Sequence, residues 1–494
     1  MNISEKPNSS ASISLGPRWH LAMNTLAFTV CFASWTMNGV LVTFLVGNGL
    51  YKWDAAQMGW LMGIPVLSGA LLRLPVGAWT DKYGGRIVYS LLLLIAAIPM
   101  YLMSMADNYT QFFLASLGFG MSGASFAIGI AYTSVWFSKE RQGLALGIFG
   151  VGNAGAAVTS LGAPILLGIL TQQGANLEAW RELPKIYALT LAIMAVLFFL
   201  FTRSKRVEHA QNLTIIQQLK PLKYLQVWRF GLYYFLVFGG FVALSQWLIP
   251  YYTNVYAMPL ATAGFLAMLF SLPSGVIRAA GGWMADKWGG RVLLYWIFAI
   301  TLVVLALLIV PPMDIYSPGG GMTAAKPGTV TEVTSSAIVL SEGQRYELKQ
   351  KPETATLDRR DENLILPVFT QWHESVVKEG DKVVRRQLLA QGITYIYFQA
   401  NVWIFVALIF IVGITTGLGK AAVYKLIPDY FPRDIGVVGG LVGLIGALGG
   451  FLGPIIFGYV LKWTGIWTTT WLFLGLLTLA SLIVLKSAVK RGYD

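Results

Sequence analysis

Apolar runs of about 20 residues recur along this chain between short polar segments, and each run is long enough to cross a hydrocarbon core about 30 Å thick. They predict twelve transmembrane helices, in two halves of six at 20–202 and 229–494, after a polar tail at 1–19 and around a basic linker at 203–228. The predicted spans are 20–45, 56–80, 86–106, 111–137, 142–170, 183–202, 229–257, 262–285, 291–311, 397–428, 435–461 and 466–487. The pattern therefore predicts an all-α membrane protein.

The two halves repeat each other. Both carry a segment of the form Gly-x-x-x-Asp-Lys-x-Gly-Gly-Arg between their second and third spans, with a spacing of 205 residues. Its glycine, aspartate and arginine are Gly77, Asp81 and Arg86, and again Gly282, Asp286 and Arg291. A weaker match follows the fourth and tenth spans, at 137–140 and 431–434, with a spacing of 294 residues. The spacing grows by 89 residues, so the second half contains an insertion, and the polar stretch 312–396 has the right length.

The 312–396 segment follows the ninth span, so we expect it on the outer side of the membrane. It carries 10 Lys and Arg against 11 Asp and Glu, whereas the whole chain has a net charge of +13. Runs with strand character at 329–333, 337–340 and 382–389, the last after a Gly380-Asp381 turn, predict a small β-rich extracellular insert between helices 9 and 10. An irregular surface loop is the alternative interpretation.

Positive charge is concentrated in the short loops after every second span. This is the positive-inside pattern, and it places both termini in the cytoplasm rather than indicating a nucleic-acid partner. The residues are Lys82, Arg86, Lys139, Arg141, Arg203, Lys205, Arg206, Lys220, Lys223, Arg229, Lys287, Arg291, Lys425, Arg433, Lys486, Lys490 and Arg491.

The composition limits the chemistry. Only 12% of the residues are charged, against roughly 25% in a typical soluble protein. A single cysteine, Cys31, excludes an internal disulfide, and the three histidines lie far apart outside the apolar runs. We therefore expect no metal site, no cofactor and no catalytic cluster, which argues against an enzyme.

Two arginines lie inside apolar spans at matched positions. Arg73 and Arg278 each precede the aspartate of the repeated segment by eight residues, which places them roughly 12 Å from the cytoplasmic end of a helix. A cation at such depth costs at least about 3 kcal/mol and usually faces a cavity or a partner. Neither has a carboxylate beside it in its own helix. Duplicated, unpaired cations suggest that an anion supplies the missing charge; hydrogen bonds to helix carbonyls are the structural alternative.

The fifth and eleventh spans are unusually rich in glycine. Small residues three and four apart allow close approach of helix backbones. We expect smooth helix faces that slide or rock, with static packing as a partial alternative. Asn153 is a lone amide within the apolar surface of the fifth span, where it could ligate an oxyanion or bond a neighbouring helix. The glycines are Gly147, Gly150, Gly152, Gly155, Gly439, Gly443, Gly446, Gly449 and Gly450.

These motifs together resemble the NarK-type nitrate/nitrite porters of the major facilitator superfamily, whose parallel six-helix halves match the predicted organisation. The similarity covers nearly the whole chain apart from the N-terminal tail and the insert. It implies that Arg73 and Arg278 clamp the anion and that aromatic rings sandwich it. The repeated Gly-to-Arg segments resemble the superfamily's signature loops, which implies a gating role. By motif position the rings are Phe126 and Tyr424, with Tyr234, Phe238 and Asn153 lining the pocket.

Lys420 is an unexpected cation in the tenth span. It lies eleven residues before Phe431, roughly 16 Å into the membrane by helical rise, and at the spacing of 294 it is the counterpart of Phe126. A third titratable cation beside an anion site suits proton-coupled uptake. Nitrate/nitrite exchange remains the alternative, and a lysine satisfied by a carbonyl or facing a water-filled vestibule is the structural interpretation.

The sequence thus predicts a secondary transporter of nitrate and nitrite in a bacterial cytoplasmic membrane, working by alternating access. Protons are a possible second substrate, and a monomer embedded in lipid is plausible. A porter for larger organic anions would need more polar side chains in its spans. A membrane sensor would need a cytoplasmic output domain, which the sequence does not contain.

Overall fold

The computed structural model describes residues 16–205, 215–310, 313–352, 366–398, 400–432 and 435–490. Within them, eleven helices are long and apolar enough to cross a membrane, and one bent pair makes a twelfth. We number these spans α1 to α12. Their bounds are Pro17–Gly47, Ala55–Tyr83, Gly85–Met103, Tyr109–Trp136, Arg141–Leu170, Leu177–Phe201, Leu225–Val255, Leu260–Val276 with Arg278–Trp288, Gly290–Leu308, Val402–Tyr430, Ile435–Thr464 and Thr469–Ala488.

The predicted spans coincide with these helices except near their ends. Helix α6 begins six residues earlier than predicted, at Leu177, in a 3-10 turn that leads into the long helix from Glu182. The predicted linker 203–228 contains a short helix at Ile215–Leu219, and α7 begins before the linker's predicted end, at Leu225. The first 15 residues of the predicted tail lie outside the described part of the chain.

The helix bounds follow the two spacings read from the sequence. Adding 205 residues to α2 and α3 gives the bounds of α8 and α9. Between these helices, Gly84 and Gly289 take matching left-handed conformations, with φ of 87° and 86°. Only glycine adopts such backbone angles without strain, which explains why the repeated segment carries a glycine at this turn.

Five of the described spans are interrupted near mid-membrane. A 3-10 turn at Gly120–Ala124 interrupts α4, another at Val151–Ala154 interrupts α5, and a π-helical turn at Phe235–Gly239 interrupts α7. Helix α8 bends by 45° between its two segments, four residues after Pro273. Helix α1 is interrupted after Trp35. Such interruptions are tolerated in a membrane only where protein or a cavity surrounds the released backbone groups.

The two halves touch most closely toward one side of the membrane, which the charge pattern predicts to be the outer side. There, glycines of one half press against backbone of the other: Gly59 on Pro454 O, Gly63 on Phe451 O, Gly458 on Ala55 O and Gly264 on Ser160 O. Toward the opposite ends of these helices, a methyl group built on Gly143, Gly282, Gly436 or Gly440 meets no described atom within 4 Å. In the described part of the bundle the two halves are therefore in close contact toward this side and show no such glycine contacts toward the other.

A separate compact unit comprises residues 308–407 with 254–257. Its described part contains two antiparallel sheets, ordered β1-β7-β5 and β4-β3-β2-β6. The strands are β1 Met313–Thr323, β2 Gly328–Val333, β3 Ala337–Leu340, β4 Arg345–Glu347, β5 Val368–Ser375, β6 Lys382–Val383 and β7 Leu388–Phe398.

The strand run expected at 382–389 is divided in the structure. A turn separates β6 from β7, and Arg386 takes a left-handed conformation with φ of 70°. One cluster of buried apolar side chains draws on strands of both sheets, and it includes Val330, Ile338 and Leu389. The extracellular location of this unit stays a prediction.

Candidate functional site

Arg73 lies at mid-membrane on α2 and is only 4% exposed. Its Nη1 donates a 2.7 Å hydrogen bond to the carbonyl oxygen of Gly443 on α11, and its Nε donates a longer one of 3.5 Å to Gly123 O. The first bond joins the two halves. The structural alternative, an arginine bonded to helix carbonyls, therefore applies in part to Arg73 in this conformation.

Arg278 occupies the matching place in the second half, as the first residue after the bend in α8. It is 9% exposed, and a methyl group built on Gly150 of α5 would lie 3.0 Å from its Cδ. Its Nη1 has no hydrogen-bond partner among the described residues. In that part of the chain, no carboxylate forms an ion pair with either Arg73 or Arg278.

A single ring connects the two cations. The guanidinium carbon of Arg73 lies 5.1 Å from the ring centre of Phe126, and that of Arg278 lies 5.7 Å from the same centre. Both distances are within the range of a cation–π contact. Phe126 follows the 3-10 turn of α4, so the interruption of that helix helps to set the position of its ring.

Three further rings complete the surroundings. Phe238 and Trp35 lie 5.4 and 5.9 Å from the Arg73 carbon, and Tyr424 lies 5.6 Å from the Arg278 carbon. Phe238 is stacked with Phe126 at a centroid distance of 6.3 Å and an angle of 27°. Trp35 escaped sequence reasoning, because one tryptophan among 17 gives no signal without its contacts.

Tyr234 and Tyr424 meet edge to face. Their ring centres are 5.0 Å apart at 70°, while Tyr234 stacks on Phe238 at 5.1 Å and 7°. The Tyr424 hydroxyl donates to Gly439 O at 3.1 Å. In this conformation the ring stacked with Phe126 is Phe238. Phe126 and Tyr424, the two rings predicted to sandwich the anion, both lie beside the Arg278 guanidinium.

Glycines of α11 and α5 seat these side chains. A Cβ at Gly446 would collide with the Tyr234 ring, and one at Gly152 would collide with Phe28. A Cβ at Gly443 would lie 3.0 Å from the Tyr424 hydroxyl and 3.6 Å from Arg73 Nη1. Gly449 and Gly450 pack on α7, and Gly155 packs on α1, whereas Gly147 lies 3.9 Å from Ala279. These glycines therefore allow close helix packing and make room for the site, and the expected sliding or rocking of the helices stays a prediction.

We predict that Gly443→Ala raises the KM for the transported anion about 5- to 30-fold, because the added methyl group displaces the Tyr424 hydroxyl and the Arg73 hydrogen bond, an effect on the order of 1–2 kcal/mol. Initial rates in proteoliposomes over a range of substrate concentrations measure it. Gly440→Ala is the matched control, since nothing described lies within 4 Å of its added methyl group. Equal KM values for the two variants would show that Gly443 does not shape the site.

Asn153 lies in the 3-10 turn of α5, three residues after the glycine that contacts Arg278. It is fully buried, and neither its amide nitrogen nor its amide oxygen has a hydrogen-bond partner among the described residues. A buried amide without partners costs about 1–3 kcal/mol, so both amide atoms are available to a ligand, and the role of Asn153 stays a prediction. Within the described ranges, no three His, Cys, Asp or Glu side chains are grouped as metal ligands.

Lys420 is fully buried on α10, four residues before Tyr424. Its Nζ lies 3.6 Å from the centre of the Phe241 ring, close to where α7 resumes after its π-helical turn. No hydrogen-bond acceptor for the ammonium occurs among the described residues, so a neighbouring carbonyl does not account for it. The charged side chain that interacts electrostatically with the Lys420 ammonium is Arg278.

The signature segments make contacts inside their own halves. Asp286 of α8 forms a 2.6 Å ion pair with Lys425 of α10. Arg86 of α3 donates to the carbonyl of Phe199 on α6 at 2.6 Å. Arg291 lies over the Tyr430 ring at 5.3 Å, and Asp81 lines a small cavity with Lys205. A methyl group built on Gly77 would lie 3.8 Å from the Ala127 side chain, and one built on Gly282 would meet no described atom within 4 Å. In this conformation these contacts brace each half, and the gating role stays a prediction.

Comparison with known proteins places this architecture. The family model described as Major Facilitator Superfamily matches residues 24–336 and 387–492, leaving out much of the β-containing unit. The chain is 37% identical over 476 residues to a probable nitrate/nitrite antiporter, NarK1, of Thermus thermophilus, covering 95% of this chain and 91% of that protein. It is 24% identical to a nitrite extrusion protein of Bacillus subtilis (strain 168), covering 94% and 92%. The chain belongs to the NarK-type nitrate/nitrite transporter family of the major facilitator superfamily.

Solved structures support the fold alone. A bacterial homolog of the human lysosomal transporter Spinster, in an inward-facing and occupied conformation, matches with a TM-score of 0.64 at 13% identity, over 96% of this chain and 97% of that one. A mutant of the nucleoside transporter NupG matches with a TM-score of 0.58 at 12% identity, over 96% and 99%.

Proposed function

We propose that this protein carries nitrate and nitrite across the cytoplasmic membrane, with one anion held between Arg73 and Arg278. The observation that carries the proposal is that both guanidinium groups, one from each half, lie against the same Phe126 ring. Family membership supports the substrate class, and the absence of an ion-pairing carboxylate in the described part of the chain supports an anionic ligand.

The shape of the pocket suits a small flat ion. A planar guanidinium fork matches two oxygens of nitrate or nitrite at once. The centroids of Phe126 and Phe238 are 6.3 Å apart, close to twice the optimal contact distance of about 3.5 Å between stacked atoms. A planar anion would therefore need only a small widening to lie between the rings.

The arginines also supply a reason for closure. Two cations in an apolar site repel each other, and an anion between them converts the repulsion into attraction at low dielectric. The bond from Arg73 to Gly443 O already crosses between the halves in this conformation. We infer that the bound anion shares the guanidinium with this carbonyl and draws the halves together, while the interrupted helices α4, α5, α7 and α8 act as hinges.

Proton coupling through Lys420 is the form of transport that we favour. Its buried ammonium has no acceptor in the described part of the chain, and it shares the region of Arg278. A lysine in this setting is costly as a cation and less costly when neutral, so its proton and the anion can travel as a pair. Exchange of nitrate for nitrite is the second candidate, favoured by the antiporter name of the Thermus relative.

Flux measurements with purified protein in liposomes test the proposal. We expect nitrate uptake that depends on the protein, competes with nitrite and is driven by an inwardly directed proton gradient. Uptake that requires internal nitrite and ignores the proton gradient would favour exchange. Absence of both nitrate and nitrite flux would overturn the proposed substrate class.

A further inference from the structure

The outer ends of α2 and α11 are joined by an ion pair between the two halves. Asp54 is the N-cap of α2, and its Oδ1 accepts a 2.9 Å hydrogen bond from the backbone nitrogen of Gln57. Its other oxygen, Oδ2, accepts a 2.8 Å bond from Nζ of Lys462, in the last turns of α11. The carboxylate therefore holds its own helix end with one oxygen and the opposite half with the other.

The same two helices are in backbone contact just below this pair. Gly458 presses on Ala55 O, Gly59 on Pro454 O and Gly63 on Phe451 O. The contact continues inward as far as the Arg73 to Gly443 bond, beyond which Gly440 and Gly436 meet no described atom of the other half within 4 Å. The ion pair therefore stands at the outer entrance of the seam that leads to the anion site, and we call the seam between α2 and α11 the outer gate.

The pair stays charged over the whole physiological range. The hydrogen bond from Lys462, followed by the bond from Gln57, keeps the pKa of Asp54 below its ordinary value of 3.8. Tyr109 of α4 and Tyr459 of α11 are the other titratable groups near the pair. Because the pKa of this carboxyl is lowered, the ion pair is fully stabilising at any pH above the ordinary pKa of 3.8. The stabilisation is lost only as the pH falls through the lowered pKa. Between pH 5 and 8 the pair responds to salt rather than to protons.

We propose that Asp54 and Lys462 are positioning residues for transport: their ion pair holds the outer gate closed after the anion is loaded and separates when the gate opens to the outside. The inference deepens the proposed function, since it assigns the residues that bias one step of the alternating-access cycle. Both side chains are partly exposed, at 41% and 49%, so the pair biases the equilibrium without locking it. Exposed pairs of this kind shift an equilibrium by roughly 1.5- to 5-fold.

The outer gate offers a reporter position. Val66 of α2 is fully buried against Gly450 of α11, and it lies between Arg73 and the outer end of α2. In a Cys31→Ser background, Val66→Cys should react with a membrane-impermeant maleimide added to intact cells only when the gate opens outward. The labelling rate then reports the open fraction without any substrate.

Neutralising either partner should raise the labelling rate about 1.5- to 5-fold at low ionic strength. Asp54→Asn is a sharp variant because asparagine keeps the N-cap hydrogen bond and removes only the charge. Lys462→Gln should match it, the double variant should label no faster than either single one, and Lys462→Arg should label like the parent. About 1 M salt, where the Debye length is about 3 Å, should erase the difference.

Lys185→Gln is the matched control, since it removes an exposed ion pair with Glu182 inside one helix of one half. Additive effects of the two neutral substitutions, or labelling unchanged by Asp54→Asn and Lys462→Gln, would overturn the proposal. The labelling assay contains no nitrate. If the ion pair controls labelling but the protein shows neither nitrate nor nitrite flux, the proposed substrate class is refuted and the gate stands. If the flux is present but the ion pair does not control labelling, the gate alone is refuted.

Discussion

Replacing Arg73 or Arg278 by lysine should lower the initial rate of nitrate transport by at least about 100-fold, a loss of about 2.7 kcal/mol. Lysine keeps the positive charge, but its three N–H donors diverge from one nitrogen and cannot form the two parallel hydrogen bonds with which a guanidinium binds two oxygens of a planar anion. At position 73 a single ammonium nitrogen would also have to reach both the Gly443 carbonyl and the anion, whereas arginine offers them separate nitrogens.

Proteoliposome uptake with equal amounts of reconstituted protein measures this effect. Arg18→Lys is the control, because that arginine is exposed at the start of α1 and takes no part in the site. A lysine variant at 73 or 278 that keeps more than about a third of the wild-type rate would show that charge alone suffices, since a threefold change is worth only about 0.65 kcal/mol.

Lys420→Gln should abolish the coupling of nitrate to protons while leaving exchange measurable. One pH unit is worth 1.36 kcal/mol per proton, so a one-to-one symporter with the membrane voltage clamped accumulates nitrate about tenfold. Glutamine keeps the approximate length of the side chain but carries no proton, so we expect the accumulation ratio to fall to about one.

Accumulation at steady state under an imposed pH gradient is the measurement for Lys420. Lys185→Gln on the exposed surface of α6 should accumulate nitrate like the wild type. If Lys420→Gln still accumulates nitrate tenfold, the proton is carried elsewhere, and Lys420 serves only to shape or polarise the site.

Most of the fold could be predicted from the sequence, because a bilayer requires every backbone polar group inside it to form a hydrogen bond within the protein. Runs of apolar residues have to be helices, and the 205- and 294-residue spacings carry through to the helix bounds. The two arginines stood out for the same reason, since few cations occur at that depth. What the pattern did not predict is the set of interrupted helices, since a 3-10 or π-helical turn changes only a few hydrogen bonds and leaves hydropathy unchanged.

The finer arrangement of the site depends on packing between distant residues. The pairing of Phe126 with Phe238, the contact of Trp35 with Arg73 and the seating of Tyr234 on Gly446 each join helices far apart in sequence. A single sequence shows the aromatic residues and the glycines but not which of them meet. Lys420 stands out in the sequence because it lies in an apolar run, but its contact with the Phe241 ring is visible only in the structure.

The most direct test of the central claim, that one anion bridges the arginines of the two halves, is calorimetric titration of nitrate into the purified wild type, the two lysine variants and their double variant. We predict one anion per chain in the wild type, loss of measurable binding in each single variant, and no further loss in the double variant, since both arginines serve the same ion. Wild-type affinity in either single variant, or two independent anions per chain, would contradict it.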